Sequence, residues 1–209
     1  MASTKETKEY KVDRLDLFPV PIFGAHYEHA ESLAQTLIPM FHKMEKEDEN
    51  PTPYSANGYT NYTPGKSVME WIECNDLRNW IGSIAMEMNK LHGLDSDIQF
   101  VGSWFSINRQ HTYHEAHNHM PCTWSGVYYV QAEDDDAVIT FYDKNKEENW
   151  PWANYREPNQ YNTPSYSVTP KTGRLILFPS HLKHGVAQQK VDRERITISF
   201  NLSNIETYK

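Results

Sequence analysis

After Gly93 the hydrophobic period of this 209-residue chain changes. That change limits the fold more than any other feature. Ahead of it, residues 31–47 carry Leu33, Leu37, Met40, Phe41 and Met44 at helical spacing. Residues 68–91 repeat the pattern with Met69, Trp71, Ile72, Leu77, Trp80, Ile81, Ile84, Ala85, Met88 and Leu91, and Asp76 is placed to cap the later part. Behind it, short runs rich in β-branched and aromatic residues fall at 98–109, 123–131, 137–142, 166–168, 174–178 and 195–202. Short strands at this spacing build a sandwich or a barrel. The expected class is α+β, mainly β. Residues 1–95 would form an extended arm and supporting helices and residues 96–209 a β core, together one compact unit.

The connecting segments are read from their breakers. Leu17-Phe18-Pro19-Val20-Pro21-Ile22-Phe23 is apolar, but its prolines block ladder hydrogen bonds and confine it to an edge strand or a packed extended arm. Residues 1–14 are charged and expected to fray. Residues 48–66, rich in Asn, Pro, Gly, Thr and Tyr, read as a loop. Asp134-Asp135-Asp136 reads as a solvated turn between two strands. Residues 143–164 form a long polar and aromatic segment around Trp150-Pro151-Trp152, and loops of that length are commonly functional or disordered.

Composition narrows the partners. The net charge is -8 and the pI about 5.7, with no dense Lys/Arg cluster, which disfavours nucleic acid as the main partner. Cys74 and Cys122 stand far apart in no ligand-like spacing, as expected in a reducing compartment. The first residues are polar with no apolar stretch behind them, unlike a signal peptide, and no apolar run approaches bilayer length. The expectation is a cytoplasmic protein without membrane contact, acting on a small-molecule or protein substrate. A homodimer through the apolar arm is compatible with the sequence.

The chemistry centres on His117-Asn118-His119 and on His184, which closes the run from Gly173 through Phe178-Pro179-Ser180. In a strand, i and i+2 share a face, so His117 and His119 can aim at one ion. His184 follows a strand and a Pro179 turn, and in a rolled sheet that end can lie beside the pair. Three protein ligands leave an octahedral ion three positions for small molecules, and Fe(II) favours such a three-ligand face. His111 and His114 lie in the same loop and read as neighbours of the ligands or surface residues, with a place among the ligands as the less favoured alternative. Glu115 shares the parity of His117 and His119 and is a weaker ligand candidate.

A second constellation ends the chain. Arg193, Arg195, Thr197, Ser199 and Asn201 share one strand face, and Ile196, Ile198 and Phe200 the other. Turned into a barrel, an Arg-bearing face calls for an anion. A guanidinium grips a carboxylate through its planar fork, contributing about 1.5–3 kcal/mol. On an exposed edge strand the same face calls for nothing.

In order and spacing, these motifs resemble the 2-oxoglutarate/Fe(II)-dependent oxygenases of the small bacterial and phage type, which are prolyl-hydroxylase-like. The resemblance runs from the Leu17–Phe23 segment through Trp104-Phe105-Ser106-Ile107-Asn108, His117-Asn118-His119 and Ser125-Gly126-Val127-Tyr128-Tyr129. It continues to the 173–184 run and Arg195-Ile196-Thr197-Ile198-Ser199-Phe200-Asn201. It implies a double-stranded β-helix (jelly-roll, cupin-like) core and Fe(II) held by His117, His119 and His184. It further implies 2-oxoglutarate on the iron, with its far carboxylate on Arg195, helped by Thr197 and Tyr129. Asn108 is a weaker cosubstrate candidate, and Arg193 the alternative should the register differ. The implied reaction uses O2 to hydroxylate a substrate C–H bond, releasing succinate and CO2. The 143–164 segment, with Trp150, Trp152 and Tyr155, is a weaker candidate to cover the substrate; the alternative is a structural loop whose tryptophans only pack. One departure stands out. The broad superfamily has His-x-Asp or His-x-Glu where this chain has His119, which leaves the site one charge more positive. All-histidine iron sites occur in cupin-type dioxygenases that use no 2-oxoglutarate, and this is the competing enzymatic reading. A non-enzymatic jelly-roll binding module is the third.

Overall fold

Both apolar stripes ahead of Gly93 fold as helices, α1 (Ala30–Glu47) and α2 (Asn75–Leu91). The computed structural model describes residues 19–51, 57–63, 67–143, 156–157 and 159–205. Helix α1 buries Ala30, Ala34, Leu37 and Phe41, one stripe at i, i+4, i+7 and i+11. Helix α2 buries Leu77, Ile81, Ala85 and Met88 in the same way. It starts later than its stripe, because Val68–Glu70 and Ile72–Cys74 are single 3-10 turns. Asp76 is not the N-cap. Cys74 holds that position, and Asp76 sits in the first turn, where a carboxylate meets the positive end of the helix.

The strands are β1 (Phe23–His26), β2 (Gly58–Thr60), β3 (Asp97–Asn108), β4 (His114–His117), β5 (Trp124–Gln131), β6 (Ile139–Tyr142), β7 (Ser165–Val168), β8 (Arg174–Pro179), β9 (His184–Val186) and β10 (Arg195–Ile205). They form a six-stranded sheet in the order β1-β8-β5-β10-β3-β2 and a four-stranded sheet in the order β4-β9-β6-β7. All pairings within both sheets are antiparallel. Two facing four-stranded sets, β8-β5-β10-β3 and β4-β9-β6-β7, make the double-stranded β-helix, and β1 and β2 extend the larger sheet at its edges. The proline-bearing segment therefore becomes an edge strand, beginning only at Phe23. Leu17 and Phe18 lie outside the described residues.

The larger sheet is buried on both faces. On one face Phe105, Ile107, Tyr128, Leu175, Leu177, Ile196, Ile198 and Phe200 pack against Leu37, Phe41, Ile81 and Met88 of the helices in a single core. Phe41 stacks on Phe105 with ring centroids 3.9 Å apart. On the other face Val127, Tyr129, Ile176 and Phe178 meet Ile139 and Phe141 of the smaller sheet. The helices cover one side of the larger sheet and leave the space between the sheets for a site.

Three departures from the sequence reading have physical causes. Residues 58–60, expected in a loop, pair with β3 because the edge of that strand would otherwise be open. β4 and β9, of 4 and 3 residues, are too short to show a period. Asp136 is not in a solvated turn. It is 4 % exposed and accepts hydrogen bonds from the Glu133 N–H, Gln189 Nε2 and Arg193 Nε at 2.7–2.9 Å.

Candidate metal centre

Backbone pairing brings two of the three histidines together. β4 and β9 are antiparallel, and His117 lies directly opposite His184. Strand alternation does not place His119, since β4 ends at His117. The N–H of His119 donates instead to the carbonyl of Ser180 at 2.9 Å. Ser180 is fully buried; its N–H donates to Thr123 O, and its hydroxyl lies 2.7 Å from that of Ser125, which in turn bonds Asn201 Oδ1 at 2.8 Å. The turn that follows Phe178-Pro179 is thus bolted to two strands of the larger sheet, and it carries His119 into place.

The three imidazoles converge. Their ligand atoms all lie within 4.8 Å of one another, and among the described residues no carboxylate joins the group. Ring centroids are 4.6 Å apart for His117–His184, 4.9 Å for His117–His119 and 5.1 Å for His119–His184. His117 Nδ1 is 2.7 Å from the carbonyl oxygen of Glu115, and His184 Nδ1 is 2.9 Å from that of Leu182. A carbonyl only accepts, so each Nδ1 carries the proton and each Nε2 keeps its lone pair for an ion. Burial pushes His119 and His184 down to about 4, with the neighbouring His117 acting in the same direction; the Leu182 carbonyl opposes this at His184. Both rings are therefore neutral at pH 7, the form that binds metal.

The same pocket holds the guanidinium of Arg195. Arg195, Thr197 and Ser199 line it from β10, Tyr129 and Val127 from β5, and Ser106 and Trp104 from β3, with the histidines on the opposite wall. Register explains the floor: Thr197 lies between Ser106 and Tyr129 across the three strands, and Ser199 between Trp104 and Val127. Arg195 is 3 % exposed, and burial pulls its guanidinium below its usual range, opposed by Tyr129 and Asp136. Neither its Nε nor the hydroxyl of fully buried Tyr129 has a hydrogen-bond partner among the described residues. Burial raises the Tyr129 phenol, keeping it a neutral donor, although Arg195 pulls the other way. Among the described residues, no Asp or Glu lines the pocket. Buried donors without acceptors beside a buried cation call for an anion. The donor set therefore fits a divalent ion at the imidazoles and a carboxylate at Arg195. A third orphaned atom among the described residues, the Tyr128 hydroxyl, lies in the helix-side core and does not line the pocket.

Other sequence candidates fall elsewhere. Asn108 is buried beside Arg195 in the sheet, and its Nδ2 donates to the Arg195 carbonyl at 3.3 Å; it does not line the pocket. Arg193 precedes β10, which starts at Arg195, and pairs with Asp135 and Asp136. Glu115 is exposed and serves through its carbonyl. His111 is exposed, while His114 does line the pocket. Trp150, Trp152 and Tyr155 lie outside the described residues. The sequence reading missed Ser180 and Ser125, although both sit inside motifs it singled out.

Comparison with known proteins agrees with this fold. The family model described as "Putative 2OG-Fe(II) oxygenase" matches residues 102–201. No curated protein sequence matches the chain. Among solved structures, a Pseudomonas putida prolyl-4-hydroxylase superposes with a TM-score of 0.61 at 16% identity, covering 90% of this chain and 94% of that one. The viral collagen prolyl hydroxylase of Paramecium Bursaria Chlorella virus-1, in its 2-oxoglutarate complex, gives 0.57 at 12% identity over 88% and 96%. HygX from Streptomyces hygroscopicus, with nickel and 2-oxoglutarate bound, gives 0.59 at 7% identity over 88% and 83%. These likenesses establish the double-stranded β-helix fold.

Proposed function

We propose that this chain, whose residues 102–201 match the 2OG-Fe(II) oxygenase family model, is an oxidoreductase of that kind and binds Fe(II) through His117, His119 and His184. We further propose that it uses 2-oxoglutarate and O2 to hydroxylate a C–H bond, releasing succinate and CO2. One observation carries the reading: the imidazole triad and the orphaned Arg195 open into one pocket. A three-histidine dioxygenase without 2-oxoglutarate would have no use for a buried guanidinium whose Nε finds no acceptor among the described residues, which is costly unless an anion meets it.

Bound at this site, the metal and its cosubstrate supply dioxygen activation and the oxidation of a substrate C–H bond. The chain's own work is binding and orientation. Nδ1–H bonds to Glu115 and Leu182 fix the His117 and His184 rings. Arg195, with Thr197 and Tyr129 beside it, receives the far carboxylate of the cosubstrate. Charge bookkeeping supports a dianion. Three neutral imidazoles leave the full double charge of the ion, and Arg195 adds one more. Phe178, Ile139 and Val186 close the pocket with apolar side chains, limiting water.

The scaffold does not select the substrate. Structures sharing it include prolyl hydroxylases, the nogalamycin-pathway epimerase SnoN and HygX in complex with hygromycin B. No helix among the described residues is long and apolar enough to cross a membrane.

The test is thermal unfolding with Mn(II), 2-oxoglutarate, or both. Ligand at 100 times its Kd stabilises by about 2.7 kcal/mol, or roughly 5–10 °C in a chain of this size. Mn(II) and 2-oxoglutarate together should raise Tm beyond Mn(II) alone, and Arg195→Ala should remove only the second increment. An increment from 2-oxoglutarate that survives Arg195→Ala would overturn the assignment.

A further inference from the structure

A fourth histidine lines the pocket, and the fold makes a specific provision for it. His114 begins β4, three residues before His117. In a regular strand, i and i+3 point to opposite faces. Both residues nevertheless line the same pocket. The reason is a register shift in the β4–β9 ladder between His114 and His117: His114 pairs with Val186 and His117 with His184. Two steps on one strand would match these pairs; β4 takes three. Such a bulge bends the strand and re-aims a side chain.

The opposing strand is shaped to accept it. Gly185 lies between Val186 and His184, facing the bulge. A Cβ there would stand 3.0 Å from the His114 carbonyl oxygen and 3.3 Å from the Ala116 N and Cα. The extra residue of β4 thus occupies the space that a side chain at 185 would need.

The position of His114 indicates a use distinct from that of the triad. It is not in the group whose ligand atoms fall within 4.8 Å. Its ring centroid is 6.4 Å from that of His117. Arg195, His117 and His184 are all close enough to act on its charge, so it lies within reach of both the triad and the guanidinium. A 2-oxo dicarboxylate joining an ion at the triad to Arg195 would pass beside it.

We propose that His114 is a positioning residue for the cosubstrate, its imidazole forming a hydrogen bond to the 2-oxo dicarboxylate along the span between the triad and Arg195. The inference rests on the proposed use of 2-oxoglutarate at this site. No covalent step is assigned to His114.

The test measures two affinities separately: Mn(II) alone by electron paramagnetic resonance, and 2-oxoglutarate to the Mn(II)-loaded protein by calorimetry. His114→Ala should weaken 2-oxoglutarate by about tenfold or more, the worth of a hydrogen bond to a charged group. Mn(II) affinity should stay within about threefold of wild type. His114→Gln, which keeps a donor and much of the volume, should recover a large part of the loss. Arg195→Ala, in parallel, should abolish 2-oxoglutarate binding. Unchanged 2-oxoglutarate affinity in His114→Ala, with Arg195→Ala still defective, overturns the role of His114 and leaves the site reading intact. An equal loss of Mn(II) affinity would make His114 a ligand and overturn it too. Wild-type protein that binds Mn(II) but not millimolar 2-oxoglutarate overturns both readings. If His114→Ala does not fold, His114→Gln and His114→Phe decide: the donor-keeping variant should bind 2-oxoglutarate more tightly than the apolar one, and equal affinities overturn the proposal.

Discussion

At the scale of single residues, Arg195 carries the greatest consequence. It is a buried cation whose Nε lacks a protein partner, and such a charge costs stability unless a ligand compensates it. Arg195→Met should therefore make the ligand-free protein more stable, by about 1–3 kcal/mol, while removing the 2-oxoglutarate-dependent stabilisation. Chemical denaturation with and without ligand checks both parts. A less stable ligand-free variant would mean that Arg195 is satisfied within the fold. Proton linkage gives a second prediction. His119 and His184 ordinarily titrate near 6.5, and burial lowers both to about 4 in the folded chain. Above pH 6.5 neither state binds protons at these sites. Between 6.5 and 4 the unfolded chain takes up protons that the folded one refuses, so stability falls as pH falls. Metal-free protein should lose denaturant resistance progressively from pH 7 to 4.5, and His184→Phe should flatten part of that slope. A slope unchanged by the substitution would contradict the assignment.

At the scale of elements, β4 and β9 decide the site, and their glycine is the sensitive point. Gly185→Ala must displace the bulged backbone of β4. Overpacking of this kind costs about 1–3 kcal/mol, and here it also moves His117 relative to His184. Metal affinity should fall more than tenfold, as read by competition with a chelator. Gly126→Ala loads the helix-side core more than the histidines, although Gly126 also lines the pocket. Its Cβ would lie 2.3 Å from Cζ of Phe200 and 3.0 Å from Cδ1 of Leu177, both in the helix-side core. Global stability should fall by about 1–3 kcal/mol, with metal affinity changed less than in Gly185→Ala. The same elements show what could be read in the sequence. Long periodic segments such as α1, β3, β5 and β10 were legible within a few residues, and α2 at its C-terminal end, because burial of one face imposes a period. β4 and β9 were not, since 4 and 3 residues cannot display one. Their histidines were found by spacing and by family resemblance. His119 was selected on strand parity, yet a hydrogen bond to Ser180 places it, and that contact, distant in sequence, leaves no local trace. The bulge that turns His114 inward is equally silent.

At the scale of the whole molecule, the site depends on the helices as well as the β core. One core joins Leu37, Phe41, Ile81 and Met88 of the helices to Phe105, Tyr128 and Ile198 of the larger sheet. Arg109 reinforces the link: its guanidinium bonds Glu45 of α1 at 2.7 and 2.8 Å and Glu194, next to Arg195, at 2.9 Å. Thermal unfolding should therefore be a single transition, and residues 96–209 expressed alone should lack a cooperative melt by circular dichroism. The sheet face that holds Arg195, Thr197 and Tyr129 to the pocket is the reverse of the face that the helices cover. The central claim remains that one pocket joins a three-imidazole metal site to an anion-binding guanidinium. It is tested most directly by adding Fe(II) and 2-oxoglutarate to the protein without oxygen and recording the visible spectrum. A weak charge-transfer band that needs both ligands, and is lost in His184→Ala and Arg195→Ala, is the predicted result. No band at millimolar 2-oxoglutarate, with Fe(II) demonstrably bound, would contradict it.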